Sequence, residues 1–147
     1  MSTQPAELVR RFWDDVWTQG RTQELSEIFG GSPTENGEPL EIDGFRQGID
    51  RWREIFPDFK VVIEELIPVG LDRIVSRVTY RGTHVNQWAG LPPTGSEFEV
   101  LGIDIFTVQG GRITQFWHTT GHLDMAIQLG GRLVPRTAAS PVDQKIG

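Results

Sequence analysis

Gly102-Ile103-Asp104-Ile105-Phe106-Thr107-Val108-Gln109-Gly110-Gly111-Arg112-Ile113-Thr114-Gln115-Phe116-Trp117 reads as two strands joined by a two-residue turn. Two adjacent glycines can both take the positive φ that a tight hairpin needs, and the flanking residues alternate with the period of a strand. Within the first strand an ionisable residue, Asp104, sits between Ile103 and Ile105, with Phe106 next. A carboxylate in that setting either faces water or lies in a pocket, where desolvation raises its pKa and makes it a usable acid or base.

If Gly110-Gly111 is the turn, Gln109 faces Arg112, and the pairing continues as Val108 with Ile113, Phe106 with Gln115 and Asp104 with Trp117. Opposite residues of an antiparallel pair share a face. One face then carries Val108, Phe106, Asp104, Ile113 and Trp117, and the other Ile103, Ile105, Phe116 and His118. A bulge near the turn would exchange the two lists. Both faces are largely apolar, so one is expected to line a concave core and the other to pack against a second copy of the chain, giving a homodimer through the outer sheet face.

Upstream, Arg73 to His84 and Phe59 to Leu66 continue the period of two. Before Pro57 the period changes: Leu8, Val9, Phe12, Trp13, Val16 and Trp17 recur at intervals of three and four, the stripe of an amphipathic helix that Gly20 ends. A shorter helix is expected over Thr22 to Ile28, a loop from Gly30 to Pro39, and a third helix N-capped by Asp43 and stopped by Pro57. Leu123 to Leu129 suggests a terminal helix. Helices first, then a meander of about four strands, predict an α+β domain with helices packed on one face of a bent antiparallel sheet. The domain is expected over residues 1–135, with 136–147 a flexible tail.

The 147 residues fit one domain, and the net charge of -6 argues against nucleic acid or an anionic membrane surface as the main partner, because both need clustered Lys and Arg. Without Cys there is no thiolate ligand or cysteine nucleophile. No basic leader or run of membrane-spanning length stands out, so a cytoplasmic protein is expected. No phosphate-cradling glycine loop or nucleophile elbow occurs, and His118 and His122, although four apart, lack a third ligand, so neither a cofactor nor a metal is expected.

Phe56-Pro57-Asp58, Arg81-Gly82-Thr83-His84, Pro92-Pro93-Thr94-Gly95, Gly102-Ile103-Asp104-Ile105-Phe106 and the closing Gln128-Leu129-Gly130 resemble the SnoaL-like polyketide cyclase family, part of the NTF2-like group of cone-shaped α+β barrels. The resemblance implies a cone enclosing an apolar cavity and a cofactor-independent cyclase acting on an apolar, polyketide-type small molecule. Asp104 matches a position that carries an acid in some of the superfamily. Cyclases of this family commonly show Trp, three residues and an Asp near the end of the last strand; here Trp117-His118-Thr119-Thr120-Gly121 puts Gly121 in place of that acid. A His often found after the second short helix also has no counterpart, Glu35 and Asn36 lying closest.

The candidate catalytic residues are therefore Asp104, Tyr80, His84 and His118. Asp104 has as its bland reading an exposed strand residue or a partner for Arg77 or Arg81. Tyr80, the only Tyr, either donates to a substrate oxygen or satisfies a core acceptor. His84 shares the alternation of Val78 and Tyr80 and either looks into the cavity or orders a loop. His118 has a suitable pKa range for proton transfer, but the simple register puts it opposite Asp104, where a dimer-interface role fits. Trp17, Trp88, Leu91, Phe106, Gln115 and Trp117 are the expected substrate contacts, and His122 reads as a surface or cap residue. Ring closure is expected either by acid and base assistance from Asp104 or by shape alone, as in a [4+2] closure. The alternatives are a non-catalytic binder of an apolar metabolite, and a double-bond isomerase or epoxide hydrolase; the hydrolase would need a second carboxylate and an Arg converging on Asp104.

Overall fold

The computed structural model describes residues 4–136; residues 137–147 of the expected tail lie outside them. Pro5 opens helix α1 (Pro5–Arg10), which continues as a π-helical stretch over Arg11–Thr18. Proline is well placed in a first turn, whose N–H groups have no helical partner. A 3-10 turn (Thr22–Glu24) leads into α2 (Leu25–Ile28), and α3 spans Ile42–Ile55. Glu41 rather than Asp43 precedes α3, and no side chain caps it.

The segment expected to be a loop instead contributes β1 (Phe29–Glu35) and β2 (Glu38–Pro39). Its Gly, Pro and Ser content concealed an irregular strand, whose pairing with its neighbour shifts between Phe29 and Thr34 and in which Ser32 takes a positive φ of 52°. The remaining strands are β3 (Lys60–Val69), β4 (Arg73–Thr83), β5 (Glu97–Gln109) and β6 (Arg112–Thr120), followed by α4 (His122–Gln128). All six strands form one curled sheet in the order β2-β1-β6-β5-β4-β3, with β1 parallel to β6. β3 is therefore an edge strand and tolerates Pro68, which lacks a ladder N–H.

The β5–β6 hairpin contains the bulge that the simple register lacks. Val108 pairs with Ile113 but Thr107 pairs with Gln115, so Thr114 is the extra residue. From there on Phe106 faces Phe116, Ile105 faces Trp117 and Asp104 faces His118. The expected lists exchange partners accordingly: Phe116 and His118 join Asp104 and Phe106 on the concave face, and Trp117 and Gln115 fall on the convex face with Ile103 and Ile105.

The core fills the concave side. Phe12, on the helix laid across the sheet, packs against Phe29, Phe106 and Phe116, and Phe106 and Phe116 stack across the hairpin with centroids 4.9 Å apart. Arg53 on α3 ties the layers together by donating to the Trp17 carbonyl at 2.6 Å.

Candidate active site

A cavity of about 250 Å³ opens between the π-helical stretch, α3 and the concave sheet face. Its walls are mainly aromatic: Trp13 and Trp17 from the π-helical stretch, Phe45 and Trp52 from α3, Phe59, and Phe116 from β6. The polar groups are few and sit together. Tyr80, His118 and Thr120 come from neighbouring inward positions of β4 and β6, His122 opens α4, and Glu35 ends β1. An apolar pocket with a few convergent polar groups is the usual form of a small-molecule site. π-helical turns also recur at functional sites, and here one turns two indoles toward the cavity.

His118 is held from two sides. Its Nε2 lies 3.1 Å from Glu35 Oε2, its backbone N–H donates to Asn36 Oδ1 at 2.8 Å, and its ring stacks on Phe116 at 4.6 Å. Glu35 and Asn36 thus fix the orientation of His118. Burial pushes the His122 imidazole below its ordinary pKa, and His118 adds to the effect; the ring lies edge-on to Trp52 and lines the cavity, instead of facing solvent as expected.

Tyr80 lies over Gly102. A Cβ at position 102 would collide with the Tyr80 ring and lie 2.8 Å from its hydroxyl, so the glycine is the slot that admits the phenol. Burial pushes the Tyr80 hydroxyl well above its ordinary pKa, the Asp104 charge adds to this, and Thr120 acts against it. It is a neutral donor at any working pH.

Asp104 is 1% exposed and is not among the residues lining the cavity. Its carboxyl lies one layer deeper, opposite His118 in the sheet, so it reaches the cavity through its neighbours rather than by direct contact. Burial pushes it up to about 7, against the Ser76 hydrogen bond and the His118 charge, which pull it down. Ser76 Oγ donates to Asp104 Oδ2 at 3.1 Å, and Trp13 Nε1 donates to Ser76 Oγ at 3.2 Å; Oδ1 is buried without a partner. Arg77 and Arg81 do not approach it: they pair with Glu65 and Glu99 among exposed side chains. The Arg that an epoxide hydrolase would need is thus turned away.

The other expected residues lie elsewhere. His84 is fully buried but does not line the cavity: its Nδ1 meets Thr94 Oγ1 at 3.1 Å, its ring packs against Phe56, and its main chain pairs with Gly95 and Ser96. This is the loop-ordering role. Trp88 and Leu91 close a tight turn by two reciprocal main-chain bonds across Ala89 (φ 50°) and Gly90 (φ 79°). Trp88 packs on Trp52 and Phe56 and so supports the cavity wall from behind. Phe106 is core beneath the site. Trp117, 42% exposed on the convex face, covers Gly37, and Gln115 accepts from Thr107 on that same face, so the bulge removes both from the expected substrate contacts. Of the expected contacts, only Trp17 lines the cavity. Trp13, Phe45, Trp52 and Thr120 line it without having been expected to, and Ser76 and Gly102, which were not expected to matter either, support Asp104 and Tyr80 from outside the lining. The one signal for Ser76 and Gly102 is position: both are inward members of the strand alternation.

Residues 7–129 match the family profile described as SnoaL-like polyketide cyclase. The chain belongs to that family. TsrD from Streptomyces laurentii is similar at 28% identity and a TM-score of 0.77, over 86% of this chain and 95% of that one. IdmH from Streptomyces antibioticus (24%, TM-score 0.77, 87% and 99% covered) and a SnoaL-like polyketide cyclase from Agrobacterium tumefaciens (18%, TM-score 0.73, 87% and 99% covered) share the fold. No curated protein matches. Membership supports an enzyme of the cyclase or isomerase kind acting on a small molecule. No helix among the described residues is long and apolar enough to cross a membrane, and no three of their His, Asp or Glu side chains cluster as metal ligands would.

Proposed function

We propose that this protein is a cofactor-independent cyclase that folds an apolar, oxygenated, polyketide-type chain in the aromatic cavity and closes a ring by acid and base chemistry. The observation that supports this best is the grouping of Tyr80, His118 and buried Asp104 on one concave face beneath an aromatic vault. The Tyr80 hydroxyl donates to a substrate carbonyl oxygen, where charge develops as the neighbouring carbon loses a proton. His118, braced by Glu35, accepts that proton. The resulting enol carbon attacks a second carbonyl carbon, a carbon–carbon bond forms, and the proton passes from His118 to the new alkoxide. Asp104 acts from below, balancing the charge on His118. His118 takes over the proton-transfer role that Gly121 cannot perform.

A second reading, shape-driven [4+2] closure, draws support from the six aromatic rings that enclose the cavity and needs only the Tyr80 donor. His118→Gln separates the two, abolishing the acid and base route and sparing the pericyclic one.

The functional test is deletion of the gene in its host followed by complementation and metabolite analysis by mass spectrometry. The wild type should restore a cyclic product, either isomeric with the acyclic precursor or one water lighter, and Tyr80→Phe should restore much less. Full restoration by a Tyr80→Phe/His118→Gln double variant would overturn the proposal.

We also propose that two copies pair through the convex face. Leu101, Ile103 and Ile105 on β5 and Trp117 on β6 form a continuous exposed apolar stripe, with the Arg77–Glu65 pair on nearby strands supplying both signs of charge for a self-complementary two-fold contact.

A further inference from the structure

Asp104 Oδ2 ends a chain of hydrogen bonds whose direction is fixed at its far end. An indole N–H only donates, so Trp13 Nε1 must give its proton to Ser76 Oγ, 3.2 Å away. Ser76 is fully buried, carries one hydroxyl proton, and has one other partner among the described residues, Asp104 Oδ2 at 3.1 Å. An ionised Asp104 can only accept, so the serine proton has Oδ2 as its acceptor. The hydroxyl therefore donates and Oδ2 accepts whenever the carboxyl is ionised. A proton arriving at the carboxylate then meets Oδ1, the oxygen without a partner, as the free acceptor.

We propose that Ser76, locked by Trp13, is a positioning residue that confines the exchangeable proton of Asp104 to Oδ1. This rests on the reading of Asp104 as part of the cyclase site. The titratable groups beside Asp104 are Tyr80 on its own side of β4 and His118 on β6; the π-helical stretch packed above presents Trp13, which does not titrate. Oδ1 is thus the oxygen left open to proton exchange, with His118 the titratable residue opposite it in the sheet, and Ser76 favours the carboxylate by holding the other oxygen. Neither Trp13 nor Ser76 moves a proton to substrate; Ser76 acts through Asp104, and Trp13 both holds Ser76 and lines the cavity.

The role of Ser76 is tested without substrate. In protein labelled with 13C at the aspartate carboxyls, with the Asp104 signal assigned by its loss in Asp104→Asn, the titration midpoint is followed by NMR. Ser76→Ala should raise the midpoint by about one unit, the effect of losing one hydrogen bond to a charged group. Trp13→Phe, which keeps the ring and removes the donor, should raise it less, and Ser76→Thr should return it toward the wild-type value. An unchanged or lowered midpoint in Ser76→Ala overturns the proposal. If Ser76→Ala fails to fold, an unchanged or lowered midpoint in Trp13→Phe overturns it equally. A midpoint that moves while the pH profile of turnover does not would uphold the role of Ser76 and overturn the cyclase reading of Asp104.

Discussion

Replacing Asp104 with Asn should make the protein more stable at neutral pH and leave its stability in acid nearly unchanged. In the unfolded chain an aspartate titrates near 3.9, whereas burial pushes folded Asp104 up to about 7. Below pH of roughly 4 both states hold the proton and the residue carries no ionisation penalty. As pH rises further the unfolded chain releases its proton while the folded protein keeps it, so the folded state loses ground at about 1.4 kcal/mol per pH unit. The loss levels off above the folded pKa at about 4 kcal/mol. A raised carboxyl pKa therefore costs stability, and the cost accumulates as pH rises from about 4 to about 7. Asn removes it, because the amide is neutral throughout and its oxygen can still accept from Ser76. In a domain of this size 1 kcal/mol moves the melting temperature by about 2–4 °C, so the advantage of the variant should grow to roughly 10 °C by pH 8. Thermal melts of both proteins by circular dichroism at half-unit steps from pH 4 to pH 8 provide the comparison; taking the difference cancels the carboxylates that the two share. Parallel curves, with no divergence between pH 4 and pH 7, would refute the burial argument for Asp104.

Gly102→Ala should push the Tyr80 ring out of its slot, destabilising the fold by about 1–3 kcal/mol in urea titration and lowering turnover as much as Tyr80→Phe does. His84→Ala should loosen the segment from Val85 to Ser96, read as faster proteolysis there and a loss of about 1–3 kcal/mol, because it removes a buried ring packed on Phe56 and its link to Thr94. Ile103→Lys, on the convex face away from the cavity, should convert a dimer to a monomer in analytical ultracentrifugation without unfolding the chain.

The parts of the fold governed by periodicity were legible in the sequence. The stripe from Leu8 to Trp17 and the alternation from Arg73 to Thr83 are readable because one face of each is buried, and the Gly110-Gly111 turn because both glycines take a positive φ. β1 was hidden because a strand of Gly, Ser and Pro that pairs irregularly has no alternation to read. Thr114 had the largest consequence: a single extra residue reversed the facing of every β6 residue beyond it, bringing His118 to Asp104 and sending Trp117 outward. A bulge leaves no local mark in composition, so it emerges only when the whole strand is paired. Asp104 and Tyr80 stood out by residue type, whereas Ser76 and Gly102 matter only through what lies across the sheet from them, and neither is unusual as a strand residue taken alone.

The central claim, that the aromatic cavity over Tyr80 and His118 is where the ring closes, is tested most directly by a crystal structure with the cyclic product bound. We predict the product inside the cavity, with one of its oxygens within about 3 Å of the Tyr80 hydroxyl and its ring against Trp17 and Trp52. Product on the convex face, or inside but with no oxygen near Tyr80 or His118, would contradict it.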